Sequence, residues 1–207
     1  MIFLGNFVIM KAVAKPTNFL DYLTEFANPV DDAFADLLER SKDSFSVFLL
    51  KKNEFFVREG EVCQYFCYVE SGILQHSIMV DDEEKTTYLA LRNSVTSSLN
   101  SFLFEKPSRK SIKAISDCSL WIVDLKSFKN LIKNNAAFHQ FYYNLIEKQL
   151  CLIDDYRIDL LTLSPEERYH KLLATEPKLL QEVPLHYLSS FLGISSRHMS
   201  RIRKNIK

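Results

Sequence analysis

Residues 188–204 read LSSFLGISSRHMSRIRK, and this stretch decides the fold of the C-terminal region. Apolar residues at helical spacing predict a first helix that ends at Gly193, where a left-handed backbone conformation stops a helix. The side chain of Ser195 or Ser196 can then accept a hydrogen bond from the free backbone amides at the start of a second helix. The stretch therefore predicts two helices joined by a short glycine turn.

The second helix has two faces of opposite character. Met199 and Ile202 are three residues apart and are predicted to face inward, while serine and basic residues lie on the other side. A helix presented in this way can enter the major groove of DNA. Arg197 and Arg201 suit guanine, because the guanidinium matches two acceptors on that base. The predicted DNA-binding residues are Ser196, Arg197, Ser200, Arg201, Arg203 and Lys204, with Arg203 and Lys204 on phosphates.

The distribution of charge agrees with this interpretation. The whole chain carries 26 basic and 26 acidic residues and is neutral at pH 7. Residues 163–207 contain eight basic and four acidic side chains, so this end has a net charge of +4 and residues 1–162 have −4. A basic helical hairpin that is merely solvated is the plainer alternative.

The middle of the chain changes to strand-like runs. Between residues 44 and 125, short segments rich in aromatic and β-branched residues are separated by turn signals at Gly60, Gly72 and the acidic run 81–84. Seven or eight short strands at this spacing predict an antiparallel sandwich or jelly roll. We interpret the acidic run as a solvated hairpin tip rather than a metal site.

A long helix is predicted over residues 136–162, where apolar residues recur every three or four positions without proline or glycine. One side of this helix can cover the sandwich, and another can form a seam with a second copy of the chain. The alternative is a helix packed within one subunit. The residues predicted to form the dimer helix are Phe138, Tyr142, Leu145, Leu152 and Tyr156.

Several classes of protein are excluded by what the sequence lacks. With only four glycines, it has neither a dinucleotide-binding glycine motif nor a phosphate-binding loop. The four cysteines do not have the spacing of a metal or iron–sulfur site, and we interpret them as reduced core residues. No nucleophile has a partner at mechanistic spacing, so we predict no catalytic residue, no metal, no cofactor and no enzyme. We also predict no membrane segment and a cytoplasmic location.

Two segments make the chain resemble the Crp/Fnr family, named after the cyclic-AMP receptor protein and the fumarate–nitrate regulator. They are EFFVREGEVCQYFCYVESGIL at 54–74 and LSSFLGISSRHMSRIRK at 188–204. The resemblance implies an α+β protein with an N-terminal jelly-roll sensor domain, a long dimerisation helix and a C-terminal helix-turn-helix. It also implies a homodimeric transcription regulator that binds DNA.

The sequence departs from the family pattern in two places. In NSVTSSLNSFLFEKPSRKSIKA, residues 93–114, two serines replace the Gly-Glu pair of cyclic-AMP-binding members, and Ser108 aligns with the phosphate-binding arginine. We therefore expect an effector other than cyclic AMP, or none. The candidate effector pocket consists of Thr96, Ser97, Ser98 and Arg109. The second departure is the absence of an obvious wing beside the helix-turn-helix.

The resulting domain prediction has four parts. Residues 1–16 are an extension that is either disordered or loosely packed, and residues 17–134 are the sensor domain with its N-terminal helices. Residues 135–162 are the dimerisation helix, and residues 163–207 are the DNA-binding domain. The alternative function is a small-molecule sensor module whose C-terminal hairpin binds a protein partner.

Overall fold

Two four-stranded antiparallel sheets face each other in the centre of the chain, as the jelly-roll prediction requires. The computed structural model describes residues 18–27 and 32–205, so the predicted extension 1–16 lies outside the described residues. The strand orders are β1-β8-β3-β6 and β2-β7-β4-β5. The strands are β1 Ser46–Leu50, β2 Phe55–Val57, β3 Tyr65–Ser71, β4 Leu74–Val80, β5 Glu83–Ala90, β6 Ser94–Thr96, β7 Ser111–Ala114 and β8 Cys118–Asp124.

Helices surround the sandwich and form the whole C-terminal region. They are α1 Phe19–Ala27, α2 Asp32–Arg40, α3 Leu99–Phe104, α4 Leu125–Asn134, α5 Ala136–Thr162, α6 Pro165–Thr175, α7 Pro177–Glu182, α8 Leu185–Leu192 and α9 Ser196–Asn205. The short helix α7 was not predicted from the sequence. Within the described residues no strand follows β8.

Local chemistry explains where several elements begin. The Asp124 carboxylate accepts the Ser127 amide at 2.9 Å and starts α4. Ser164 and Glu167 form the reciprocal capping box that starts α6, with proline at its first position. The turn before β4 needs Gly72, because its φ is +88° and an added Cβ would lie 2.4 Å from the Asp117 carbonyl oxygen.

One hydrophobic core fills the sandwich and continues under α1 and the first half of α5. The Tyr22 ring of α1 lies 6.0 Å from the ring of Phe141 on α5. Phe128 of α4 meets Phe138 of α5 edge to face at 5.8 Å. These aromatic contacts fix the direction in which α5 leaves the sandwich.

A second, smaller cluster holds α6–α9 together and extends onto the sandwich. Leu188, Met199 and Ile202 are its fully buried helical members. Ile73, directly before β4, and Ile115, directly after β7, belong to the same cluster. The helix-turn-helix is therefore packed against the sandwich as well as on itself.

Candidate functional site

The turn between α8 and α9 has the geometry that the sequence predicted. Gly193 has φ +70°, and the Ile194 amide donates to the Ser189 carbonyl at 2.9 Å. Ser195, rather than Ser196, caps α9, because its hydroxyl accepts the His198 amide at 3.2 Å. The helix that follows is thus held at a fixed angle to α8.

Helix α9 presents one apolar and one basic face. Met199 and Ile202 are fully buried against the rest of the small helical domain. Arg197, Arg201 and Lys204 are exposed, and α9 contains no acidic residue. Ser196, the first residue of α9, is exposed beside them. The arrangement gives a positively charged helix surface with no internal counter-charge.

Three of the predicted DNA-binding residues have other partners within the chain. The Ser196 hydroxyl lies 3.0 Å from the Ser189 hydroxyl. Nη2 of Arg203 donates to the Leu180 carbonyl at 3.2 Å, which ties α9 to α7. The Ser200 hydroxyl is only half-exposed and donates to the Ser196 carbonyl at 2.9 Å. Arg203 therefore positions the helix, and the sequence could not show this because α7 was not predicted.

The structure corrects two of the five predicted dimer residues on α5. Phe138 and Leu145 are fully buried in the core of their own subunit, and Tyr142 packs against that core. Tyr156 stacks on Phe191 of α8, with ring centroids 5.8 Å apart. Leu152 is exposed. The prediction was wrong for Phe138 and Leu145 because both faces of α5 are apolar, and periodicity does not say which of them meets the sandwich. For Leu152 and Tyr156 a place in a dimer interface stays a prediction.

A different apolar stripe on α5 is open to solvent. Leu150, Ile153 and Leu161 are 63%, 62% and 80% exposed, and Tyr143 lies one heptad before Leu150 on the same side. At 100° per residue this stripe points away from the buried face of the helix. We name the four residues Tyr143, Leu150, Ile153 and Leu161 the α5 stripe.

The cysteines divide into two groups. Cys63, Cys67 and Cys118 are buried, and burial raises the pKa of the Cys67 thiol well above its usual range. Cys151 is exposed on α5, so the prediction that all four are core residues was wrong for this one. Within the described ranges, no group of cysteine, histidine or acidic residues could hold a metal ion.

A cavity of about 390 Å³ opens beside the short helix α3. Its lining residues are Ile78, Thr87, Ser98, Leu99, Asn100, Ser101, Pro107, Arg109 and Lys110. Of the four predicted pocket residues, Ser98 and Arg109 lie on the wall. Lys110 was missed, and its signal in the sequence was a second basic residue directly after Arg109.

The other two predicted pocket residues point elsewhere. The Thr96 hydroxyl lies 2.7 Å from Nε2 of the buried His76, and the Ser97 hydroxyl donates to the Tyr65 carbonyl at 2.9 Å. Burial, with a contribution from the charge of Lys110, lowers the pKa of His76 well below its usual value. Thr96 and Ser97 therefore complete the interior of the sandwich.

The charged side chains that line the cavity are both basic. Arg109 is exposed at its rim, and burial lowers the pKa of the half-buried Lys110. The Ser98 and Ser108 hydroxyls lie 2.7 Å apart, and Ser108 also donates to the Lys110 carbonyl at 2.6 Å. The Ser108 hydroxyl therefore makes its hydrogen bonds within its own loop and to the neighbouring Ser98. No carboxylate lines the cavity, so no acidic side chain there can accept a hydrogen bond from a ribose hydroxyl.

Comparison with known protein families finds a similarity in the central part of the chain. The cyclic nucleotide-binding domain model matches residues 47–135. No curated protein sequence matches the chain. None of the described helices is long and apolar enough to cross a membrane.

The chain is also similar to solved structures over most of its length. FixK2 of Bradyrhizobium japonicum is 18% identical with a TM-score of 0.65, over 78% of this chain and 84% of that chain. The c-di-GMP-responsive regulator CLP of Xanthomonas campestris is 18% identical with a TM-score of 0.62, over 83% and 91%. A transcriptional regulator assigned to the Crp/Fnr family from Eubacterium rectale is 18% identical with a TM-score of 0.60, over 86% and 84%. The chain therefore shares the fold of these solved structures, and its residues 47–135 match the cyclic nucleotide-binding domain model.

Proposed function

We propose that this chain is a homodimeric transcription regulator of the Crp/Fnr type that acts in the cytoplasm and binds DNA through α9. The observation that carries the proposal is the exposed basic face of α9, opposite a buried apolar face. Arg197 and Arg201 read bases in the major groove, and Lys204 contacts phosphate. Ser196 reaches the groove beside them.

The α5 stripe forms the dimer interface. Eleven of the twelve residues at 150–161 of α5 are exposed, and Asp159 is half-buried, so this part of the helix has little support within one subunit. Pairing of two stripes across a two-fold axis removes their apolar side chains from water. Two chains joined in this way carry two α9 helices, as recognition of a palindromic site requires.

The cavity beside α3 binds the effector. Arg109 and Lys110 supply positive charge, Ser98 and Asn100 supply hydrogen-bonding groups, and no acidic residue opposes an anion. The ligand class that fits this lining is a small anion without a ribose diol, rather than cyclic AMP.

Selection of DNA fragments by the purified full-length protein tests the function. Sheared genomic DNA is incubated with the wild-type protein, and the retained fragments are sequenced. We expect enrichment of a two-fold symmetric motif that is lost in the double variant Arg197→Ala/Arg201→Ala.

The control for this selection is Lys178→Ala, which removes an exposed charge from α7 and should keep the motif. Retention of the same fragments by the double variant would refute the proposal. It would favour a C-terminal hairpin that binds a protein partner.

A further inference from the structure

Helix α8 covers the outer face of the sheet that contains β4 and β5. Gln75, Ser77 and Thr86 lie on this face and are only 1%, 3% and 6% exposed. Alternation along a strand usually puts such polar residues in water. Here their burial marks a contact between the sandwich and the helix-turn-helix.

Ser190 of α8 makes the direct polar contact. Its hydroxyl accepts the Thr86 amide at 2.9 Å and lies 3.4 Å from the Glu84 carbonyl oxygen, to which it donates. Strand β5 is at the edge of its sheet, so these backbone groups have no neighbouring strand. Ser190 thus makes two hydrogen bonds to the β5 backbone that a further strand would otherwise make.

One buried polar atom in this contact favours separation of α8 from the sandwich. Gln75 donates to the Thr86 hydroxyl at 2.9 Å, but its Oε1 is buried without a hydrogen-bond partner. An unpaired buried acceptor disfavours the packed state, because water would satisfy it once the surfaces part. Among the described residues, only two other buried side-chain atoms are in this position.

The opposite face of the same strands lines the effector cavity. The pairing of β4 with β5 shifts between His76 and Ser77, so that Thr87 is the extra residue of a β-bulge. Thr87 and Ile78 both line the cavity. Thr87 therefore touches the cavity, while its neighbour Thr86 is bonded to α8.

We infer that the bulge at Thr87 couples the effector cavity to the helix-turn-helix through the hydrogen bond between Thr86 and Ser190. A change on the cavity side shifts the backbone at the bulge, and this shift breaks or restores the contact with α8. This inference rests on the proposed function, for which it supplies the regulation.

Hydrogen exchange of the Thr86 amide in the full-length protein, resolved by NMR, tests the inference. Ser190→Ala removes the acceptor, and we expect Thr86 to exchange about tenfold faster. The control is Thr175→Ala, which loses a hydroxyl-to-carbonyl bond within α6 and does not reach the sandwich. It should leave Thr86 within twofold of the wild type.

A second pair of variants tests the coupling from the cavity side. Thr87→Ile adds volume to the cavity at the bulge, and we expect Thr86 to exchange at least threefold faster. Asn100→Leu adds volume at the α3 wall and should leave Thr86 within twofold. If Thr87→Ile does not fold, Thr87→Leu replaces it, because it also adds volume at the bulge, and the change is expected in the same direction.

The outcomes separate this inference from the proposed function. Unchanged exchange at Thr86 in Ser190→Ala would show that α8 is not held there and would overturn the inference. Equal effects of Thr87→Ile and Asn100→Leu would overturn the coupling. The measurement uses no DNA, so failure of the proposed function appears separately, as a lack of motif enrichment.

Discussion

Truncation of one residue in the α5 stripe should weaken the dimer by an amount that follows from its exposure. Leu150 is 63% exposed in the single chain. Complete burial of a leucine side chain stabilises by about 2 kcal/mol, so covering this fraction contributes about 1.3 kcal/mol. A two-fold interface contains the residue twice. Leu150→Ala should therefore cost about 2.5 kcal/mol, which raises the dimer dissociation constant about 70-fold.

Sedimentation equilibrium at several protein concentrations measures this constant. Leu152→Ala is the matched control, because Leu152 lies on the same helix, is 49% exposed and points about 160° away from Leu150. We expect it to change the dissociation constant less than threefold. Both substitutions keep a good helix former, so helicity should not change. Equal effects of the two variants, or a wild-type protein that is monomeric at micromolar concentration, would refute the reasoning.

Three further predictions concern DNA binding, backbone geometry and pH. Arg201→Ala should weaken binding to the selected motif by about 1–3 kcal/mol, whereas Lys204→Ala should weaken all sequences alike and lower the salt slope by about 1. Fluorescence anisotropy at several salt concentrations distinguishes these results. Gly72→Ala should cost about 1–3 kcal/mol more than Gly60→Ala in urea unfolding. Both glycines have positive φ, but only the Cβ at position 72 would meet a carbonyl oxygen, at 2.4 Å. Burial lowers the pKa of His76, so below pH 6.5 the unfolded chain binds a proton that the folded chain does not. Stability should then fall by up to about 1.4 kcal/mol per pH unit on acidification, and His76→Asn should remove this part of the dependence. An unchanged pH slope in that variant would contradict the assignment.

The parts of the fold that local chemistry dictates could be predicted from the sequence. The turn at Gly193, the capping box at Ser164 and the short alternating strands each depend on residues close together in the chain. The buried pair Met199 and Ile202 followed from helical spacing alone. These elements need no knowledge of what packs against them.

The features that depend on tertiary packing could not be predicted. Phe138 and Leu152 are equally apolar, and only the position of the sandwich decides that the first is buried and the second exposed. Arg203 resembles a phosphate contact until α7 brings the Leu180 carbonyl to it. The hydrogen bond from Thr86 to Ser190 joins residues 104 positions apart, which no local pattern reveals.

The exposure of Cys151 gives the protein a chemical reporter of its own. The three other cysteines of the sequence are buried, so a thiol reagent at neutral pH should label Cys151 first. This thiol is adjacent to Leu150, at the margin of the α5 stripe, and association of two chains would restrict access to it. The rate of labelling can therefore follow assembly in the unmodified sequence, without an engineered tag.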